Sequence, residues 1–222
     1  MVHQSSILFV NRDDAARQLI SRLGNYKNMN CCIIATSNGG VAIADHVAKR
    51  LNAGLIFIPS ERIKDPNDSR ESIGVVGFDC TTDGLERDIS QDFISRRTRA
   101  IRSKLFSRYP NAYSAISSGF KNSTIIFVDD CLQTNDEILS CLRAIRKQQP
   151  NEIIVAAPVA SYFAAQGVAE EADSVVFLHI VSKDSINGSY LDFDAVADEE
   201  VRRLMNLSIK EITGSNYQIT TS

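Results

Sequence analysis

At 222 residues, 44% of them hydrophobic and 23% charged, the chain has enough apolar material for one sizeable globular core. A formal net charge of −3 gives no overall attraction to nucleic acid or to an acidic membrane surface. The longest apolar runs, such as "IIVAAPVA" at 153–160, are too short to span a bilayer, and "MVHQSSILFVNRDD" lacks the basic start and cleavage site of a signal peptide. The first helical signal follows "NRDD", with Ala16, Leu19, Ile20 and Leu23 on one side and Gly24 as a stop. A buried strand is expected at "CCIIAT" (31–36), then a helix near 41–51 and a second strand at "LIFIP" (55–59).

Residues 60–123 break this rhythm. They hold "RIKDPNDSRES", an extended stretch "IGVVGFDC", a long helix over about 88–108 and a loop over 110–123. Ile89, Phe93, Ile101 and Leu105 mark an apolar stripe on that helix. Arg96, Arg97, Arg99, Arg102, Lys104 and Arg108 make the rest strongly basic, as a solvated face or as an electropositive wall for an anion. With little obvious core partner for 70–110, this region is expected at or near the interface of a homodimer.

The alternation then resumes with strands at "TIIFV" (124–128), "IIVAAPV" (153–159) and "SVVFLHI" (174–180), and helices near 135–147 and 161–169. Strand–helix repetition implies an α/β, Rossmann-like fold, a five-stranded parallel sheet flanked by helices, with 60–123 as a side hood or insertion. One domain is expected over residues 1–210, with 211–222 as a flexible tail. The five cysteines are an odd number without a CxxC pair, and Cys31, Cys32, Cys131 and Cys141 lie in or beside apolar elements. They read as buried reduced thiols of a cytoplasmic protein rather than a disulfide framework or a zinc site.

In open parallel sheets, ligands bind beyond the carboxyl ends of the strands. After the first strand comes "TSNGG", where Gly39 and Gly40 permit tight turning and the next helix directs free N–H groups at the loop. After the second comes "PSERIKDP", from which Arg62 and Lys64 reach toward an anion. After "TIIFV" come Asp129 and Asp130, a pair of carboxylates able to accept hydrogen bonds from a vicinal diol or to bind Mg²⁺ through oxygen. No G-x-S-x-G elbow or G-x-G-x-x-G turn supports an unrelated hydrolase or reductase site.

"FVDDCLQTNDEI" resembles the phosphoribosyl-diphosphate signature of the type I phosphoribosyltransferases. The resemblance runs over roughly residues 7–207 and is closest to a bacterial branch of stand-alone members. "ILFVNRDDAARQL", "TSNGGVAIADHVAKRLNAGL", "ERIKDPNDSRESIGVV", "ADSVVFLHI" and "YLDFDAVADEEV" resemble its opening, diphosphate loop, basic-pair segment, closing strand and tail. It implies a parallel sheet with a hood, often dimeric, that transfers phosphoribose to a nitrogen base as diphosphate leaves with Mg²⁺ on it. Carried over, Asp129 and Asp130 bind the ribose hydroxyls and touch the metal weakly. Within the loop Cys131, Leu132, Gln133, Thr134, Asn135, Asp136 and Glu137, Thr134 and the 134–137 backbone hold the 5′-phosphate. Asn38, Gly39, Gly40 and Arg62 lie against the diphosphate. The implied ligands are phosphoribosyl diphosphate or a nucleoside monophosphate.

The departures from the family pattern fall on the anion contacts. Asn38 stands for an arginine, Glu61 for the first of a basic pair, Asn135 for a glycine that Asn can replace in left-handed geometry, and Glu137 for a threonine. A carboxylate about 6 Å from one phosphate charge costs roughly 3 kcal/mol at an effective dielectric near 20. A helix N-terminus returns about 0.3–1 kcal/mol. Thr134 to Glu137 also fits the S/T-x-x-E capping box, each side chain bonding the other's amide, with Asp136 adding a first-turn charge. Arg143, Arg146 and Lys147 suit the other end, and Ile138, Leu142 and Ile145 the buried face. The expectation is a phosphoribosyl site with weakened or lost transferase activity, the alternative being an active transferase with an unknown base.

Overall fold

The computed structural model describes residues 7–68, 71–77, 89–109 and 119–214, with the backbone alone at 187 and 207–214. Strands β1 (Cys31–Ala35), β2 (Gly54–Phe57), β5 (Thr124–Val128), β6 (Glu152–Ser161) and β7 (Ser174–Val181) form one sheet in the order β2-β1-β5-β6-β7. All four pairings are parallel. The expected sheet is therefore present, with "TIIFV" beside "CCIIA" through Cys32↔Ile125 and Ile34↔Phe127. Continuous apolar runs suit strands covered on both faces. On β5 the two-residue period sends Ile126 and Val128 to one core and Ile125 and Phe127 to the other.

Helices α1 (Arg12–Leu23), α2 (Asn38–Leu51) and α6 (Asp198–Gly214) cover the first face, where Leu19, Leu23, Val41, Ile43 and Val201 are buried. Helices α4 (Asp136–Arg146) and α5 (Tyr162–Ala169) cover the second with Ile138, Leu142, Ile145 and Val168. The aspartates of "NRDD" open α1 rather than precede it, because Asn11 Oδ1 accepts from the Asp14 amide at 3.0 Å and caps the helix. Helix α1 stops at Gly24 as expected, though without a left-handed turn. The Gly24 φ is −57°, a 3₁₀ turn follows over Gly24–Tyr26, and Asn28 takes the left-handed conformation (φ 60°). Helix α6 runs four residues into the segment expected as a tail, and 215–222 lie outside the described residues.

The interrupting segment forms a separate layer. Strands β3 (Glu61–Lys64) and β4 (Ser72–Val76) pair antiparallel, and helix α3 (Gln91–Arg108) packs on them through Ile63, Ile73, Val76, Ile101 and Leu105. Helix α3 begins at Gln91 because Ser90 Oγ accepts from the Phe93 amide at 3.2 Å. The last three residues of "IGVVGFDC" and most of the 110–123 loop lie outside the described residues. Cys31 and Cys141 are buried, none of the four described cysteines is in a disulfide, and burial pushes the Cys32 and Cys131 thiols up to about 12. Thiols held protonated in this way are poor nucleophiles. No helix among the described residues is long and apolar enough to cross a membrane.

Candidate functional site

The loops after β1 and β5 meet at the carboxyl edge of the sheet, beneath the β3 strand of the side layer. Between them lies a pocket of about 170 Å³ lined by Thr36, Ser37, Arg62, the 129–134 loop, Glu137 and Ile138. It gathers Arg62, Asp129, Asp130, Cys131, Leu132, Gln133, Thr134 and Glu137 from the residues singled out in the sequence. Asn38, Gly39, Gly40, Asn135 and Asp136 do not line it. The two glycines instead lie under the acids. A Cβ on Gly39 would sit 1.9 Å from Asp130 Oδ2, and one on Gly40 would sit 2.9 Å from the Val128 carbonyl and 3.0 Å from Asp129 Oδ1.

The acidic pair is asymmetric. Asp129 Oδ1 accepts from the Ser37 hydroxyl at 2.5 Å and from the Asp130 amide at 2.9 Å, while Ser37 Oγ takes the Gly40 N–H at 2.8 Å. Asp130 Oδ2 faces the Arg12 guanidinium at 2.8 Å, and both side chains are largely buried. Arg12 is itself placed by the Asp194 carbonyl at 2.7 Å and by the Phe193 ring, 4.1 Å below it. Tyr190 stacks on Phe193 and donates its hydroxyl to the Asp130 carbonyl at 2.6 Å. Burial, followed by the neighbouring Asp130, pushes the Asp129 carboxyl well above the ordinary carboxylate range.

The sign of the resulting pH dependence follows from linkage. A carboxyl whose folded pKa is raised binds its proton more tightly in the native state. Its contribution is full below the unfolded value near 3.8 and is lost as pH rises through the folded one. Asn keeps the acceptor for Ser37 and Asp130 without the charge. Asp129→Asn is therefore expected to be more stable than wild type at pH 7–8. The gap should close toward pH 4 in thermal melts.

The loop after β5 is held as a short extension of the sheet. The Leu132 amide donates to the Val159 carbonyl, the Ser161 amide to the Leu132 carbonyl, and Ser161 Oγ to the Gln133 carbonyl, each at 2.9 Å. The capping box is not formed. Helix α4 has Asn135 as its N-cap, with φ −108° and no side-chain cap bond. Asn135 is thus not left-handed, and its amide lies over Gly167, where a Cβ would be 2.0 Å from Nδ2. Thr134 Oγ1 accepts from Arg62 Nη2, and Glu137 Oε1 pairs with Arg62 Nε at 2.9 Å. A guanidinium offers charge-assisted bonds to both oxygens, and these outcompete bonds to neutral amides. Asp136 is exposed to solvent.

The other substituted positions are also paired. Asn38 Nδ2 donates to Asp198 Oδ1 at 2.9 Å and to the Val196 carbonyl at 3.1 Å, and Glu61 pairs with Lys104 at 2.6 Å. Sequence reasoning missed Arg12, Ser37, Tyr190 and Asp198. Ser37 was legible as an N-cap before "NGG", since its Oγ takes the Gly40 amide. The others carry no local signal.

A model of the phosphoribosyl transferase domain matches residues 3–193. A Mycobacterium tuberculosis (strain H37Rv) protein named as a phosphoribosyl transferase is 24% identical over 203 residues, 87% of this chain. The chain spans 45% of that relative's length. Among solved structures, TT1426 from Thermus thermophilus superposes with a TM-score of 0.72 at 26% identity, covering 90% of this chain and 98% of that one. A Neisseria gonorrhoeae hypothetical protein solved with bound ppGpp shares the fold, with a TM-score of 0.53 at 16% identity over 92% and 98% of the two chains. The match to the domain model extends from before α1 to beyond β7, and so takes in the acidic pair, the loop after it and the side layer: the chain belongs to the phosphoribosyl transferase domain family.

Proposed function

We propose that the pocket binds a phosphoribosyl group, from phosphoribosyl diphosphate or a nucleoside monophosphate, with weak or no transfer to a base. The observation that carries this reading is the commitment of Arg62 to Glu137 and Thr134. Arg62 and Glu137 cancel in charge, as do Arg12 and Asp130, so little net positive charge remains to meet a diphosphate. Stabilising leaving-group charge is the main catalytic demand of such a transfer. Asp129 and Asp130 accept the ribose hydroxyls, and the uncapped first turn of α4 turns its amides to the 5′-phosphate.

Among the described residues no group of three or more His, Cys, Asp or Glu could hold a metal ion. The remaining oxygens of Asp129 and Asp130 fit Mg²⁺ arriving on a diphosphate, since that ion takes one or two carboxylates plus phosphate oxygens. When bound, it supplies charge neutralisation on the leaving group.

An active transferase with an unknown nitrogen base is the second reading, favoured by that same uncapped turn. Calorimetry with phosphoribosyl diphosphate and Mg²⁺ separates them. Binding weaker than micromolar, without diphosphate release on adding bases, is expected. Micromolar binding with release would establish the active enzyme. A place in nucleotide metabolism follows from either reading. The four described cysteines, none of them in a disulfide, suit the reducing cytoplasm. A homodimer through the side layer belongs to this reading, and light scattering would show it as twice the 24.5 kDa chain mass.

A further inference from the structure

Arg12 stands at the start of α1, yet only 14% of its side chain is exposed. Three contacts fix the guanidinium. Nε meets Asp130 Oδ2 at 2.8 Å, Nη1 donates to the Asp194 carbonyl at 2.7 Å, and the flat face lies 4.1 Å over the Phe193 ring. A buried ion pair returns little net stability for the desolvation it costs, so stability alone does not account for this arrangement.

The seat of Arg12 is built from chain far away in sequence. The Leu8 and Phe9 amides donate to the Ser189 carbonyl, and the Leu191 and Asp192 amides to the carbonyls of Phe9 and Val10, all at 2.8–3.0 Å. These bonds register residues 8–10 against 189–192 and bring the Phe193 ring under the start of α1. Tyr190 stacks on that ring at 4.5 Å and its hydroxyl bonds the Asp130 carbonyl. Asp130 is thus held at its backbone by Tyr190 and at Oδ2 by Arg12, which leaves Oδ1 for a ligand hydroxyl.

We propose that Arg12, on its Phe193–Asp194 seat, is a positioning residue that sets the site's preference for ribose over a deoxy sugar. This rests on the reading that the acidic pair accepts the ribose hydroxyls. Two adjacent, largely buried carboxylates repel each other, and with Arg62 engaged by Glu137 it is Arg12 that balances them. A planar guanidinium holds a carboxylate oxygen and a carbonyl at fixed angles, and a lysine ammonium has no such fork. Asp130 therefore stays aimed at one hydroxyl position, and a sugar lacking that hydroxyl leaves a buried acceptor unpaired.

The test is calorimetric titration of adenosine 5′-monophosphate and its 2′-deoxy and 3′-deoxy forms into wild type, Arg12→Lys, Arg12→Gln and Phe193→Leu. Wild type is expected to prefer the ribonucleotide over at least one deoxy form. Both Arg12 variants should lower that preference about tenfold or more, by weakening the ribonucleotide and leaving the deoxy form little changed. Phe193→Leu keeps the cation, removes the ring beneath it, and should shift the preference in the same direction. Equal weakening of all three nucleotides would mean a purely structural role and overturn the proposal. An unchanged preference in the folded variants, or no preference in wild type, overturns it too. If neither Arg12 variant folds, Phe193→Leu decides by the same criterion, and failure of all three to fold makes the seat a structural tie. Wild-type protein that binds none of the nucleotides sinks the phosphoribosyl reading itself. A wild-type preference that survives the substitutions sinks the role of Arg12 alone.

Discussion

Glu137→Gln is expected to tighten binding of ribose 5-phosphate or a nucleoside monophosphate by about ten- to a hundredfold. Two effects act together. The substitution removes a carboxylate from the first turn of α4, where repulsion of a phosphate charge about 6 Å away is worth roughly 3 kcal/mol before solvent screening. It also frees the Arg62 guanidinium from Glu137. Both side chains of the pair keep 31% of their surface exposed, so screening cuts the gain to about 1–3 kcal/mol. The same exposure means that losing the pair costs at most about 1 kcal/mol of stability. Because Asn135 packs over Gly167 in an ordinary conformation, no glycine is needed at 135 to restore the loop. Calorimetry on wild type, Glu137→Gln and Glu137→Gln/Arg62→Met separates the two effects. An unchanged affinity in Glu137→Gln would show that the clasp does not limit anion binding.

Gly39→Ala is expected to destabilise the protein by about 2–4 kcal/mol and to abolish binding of ribose-bearing ligands. Helix propensity alone argues the other way, since Ala in a helix is better than Gly by about 1 kcal/mol. The added methyl would lie 1.9 Å from Asp130 Oδ2, inside any permissible contact. A flexible side chain would swing aside, but this carboxylate is fixed by Arg12 at 2.8 Å. Moving it leaves a largely buried guanidinium without its partner, and breaking one side of a buried pair costs several kcal/mol. Denaturant unfolding measures the first effect and calorimetry the second. Wild-type stability with intact ligand binding would mean that Asp130 has room the geometry denies it.

The parallel sheet was legible because its central strands are continuous apolar runs, and the side layer because 60–123 broke the alternation. The acidic pair and its loop were legible as a strand end followed by a helical pattern. What escaped depends on distance along the chain. The capping-box pattern of Thr134 and Glu137 is a sound local rule, yet both side chains are claimed by Arg62, 72 and 75 residues away. Arg12 reads as an ordinary first-turn residue of an amphipathic helix, and its partner Asp130 lies 118 residues on. Asn38 was read as a weakened anion contact, while its tie to Asp198 spans 160 residues. Charged side chains are placed by whichever opposite charge the topology brings near, and a one-dimensional pattern does not contain that.

The side layer has a consequence for motion. Among the described residues its buried nucleus is one small cluster, Ile63, Ile73, Val76, Ile101 and Leu105, against far larger cores on either face of the sheet. Sub-global opening is easiest where the fewest apolar contacts must be broken, so this layer opens well before the rest of the fold unravels. Arg62 rides on it. Each opening carries the guanidinium away from Glu137 and Thr134, leaving the α4 turn briefly exposed without its cation. The clasp therefore has a lifetime set by breathing of a whole layer rather than by rotation of one side chain.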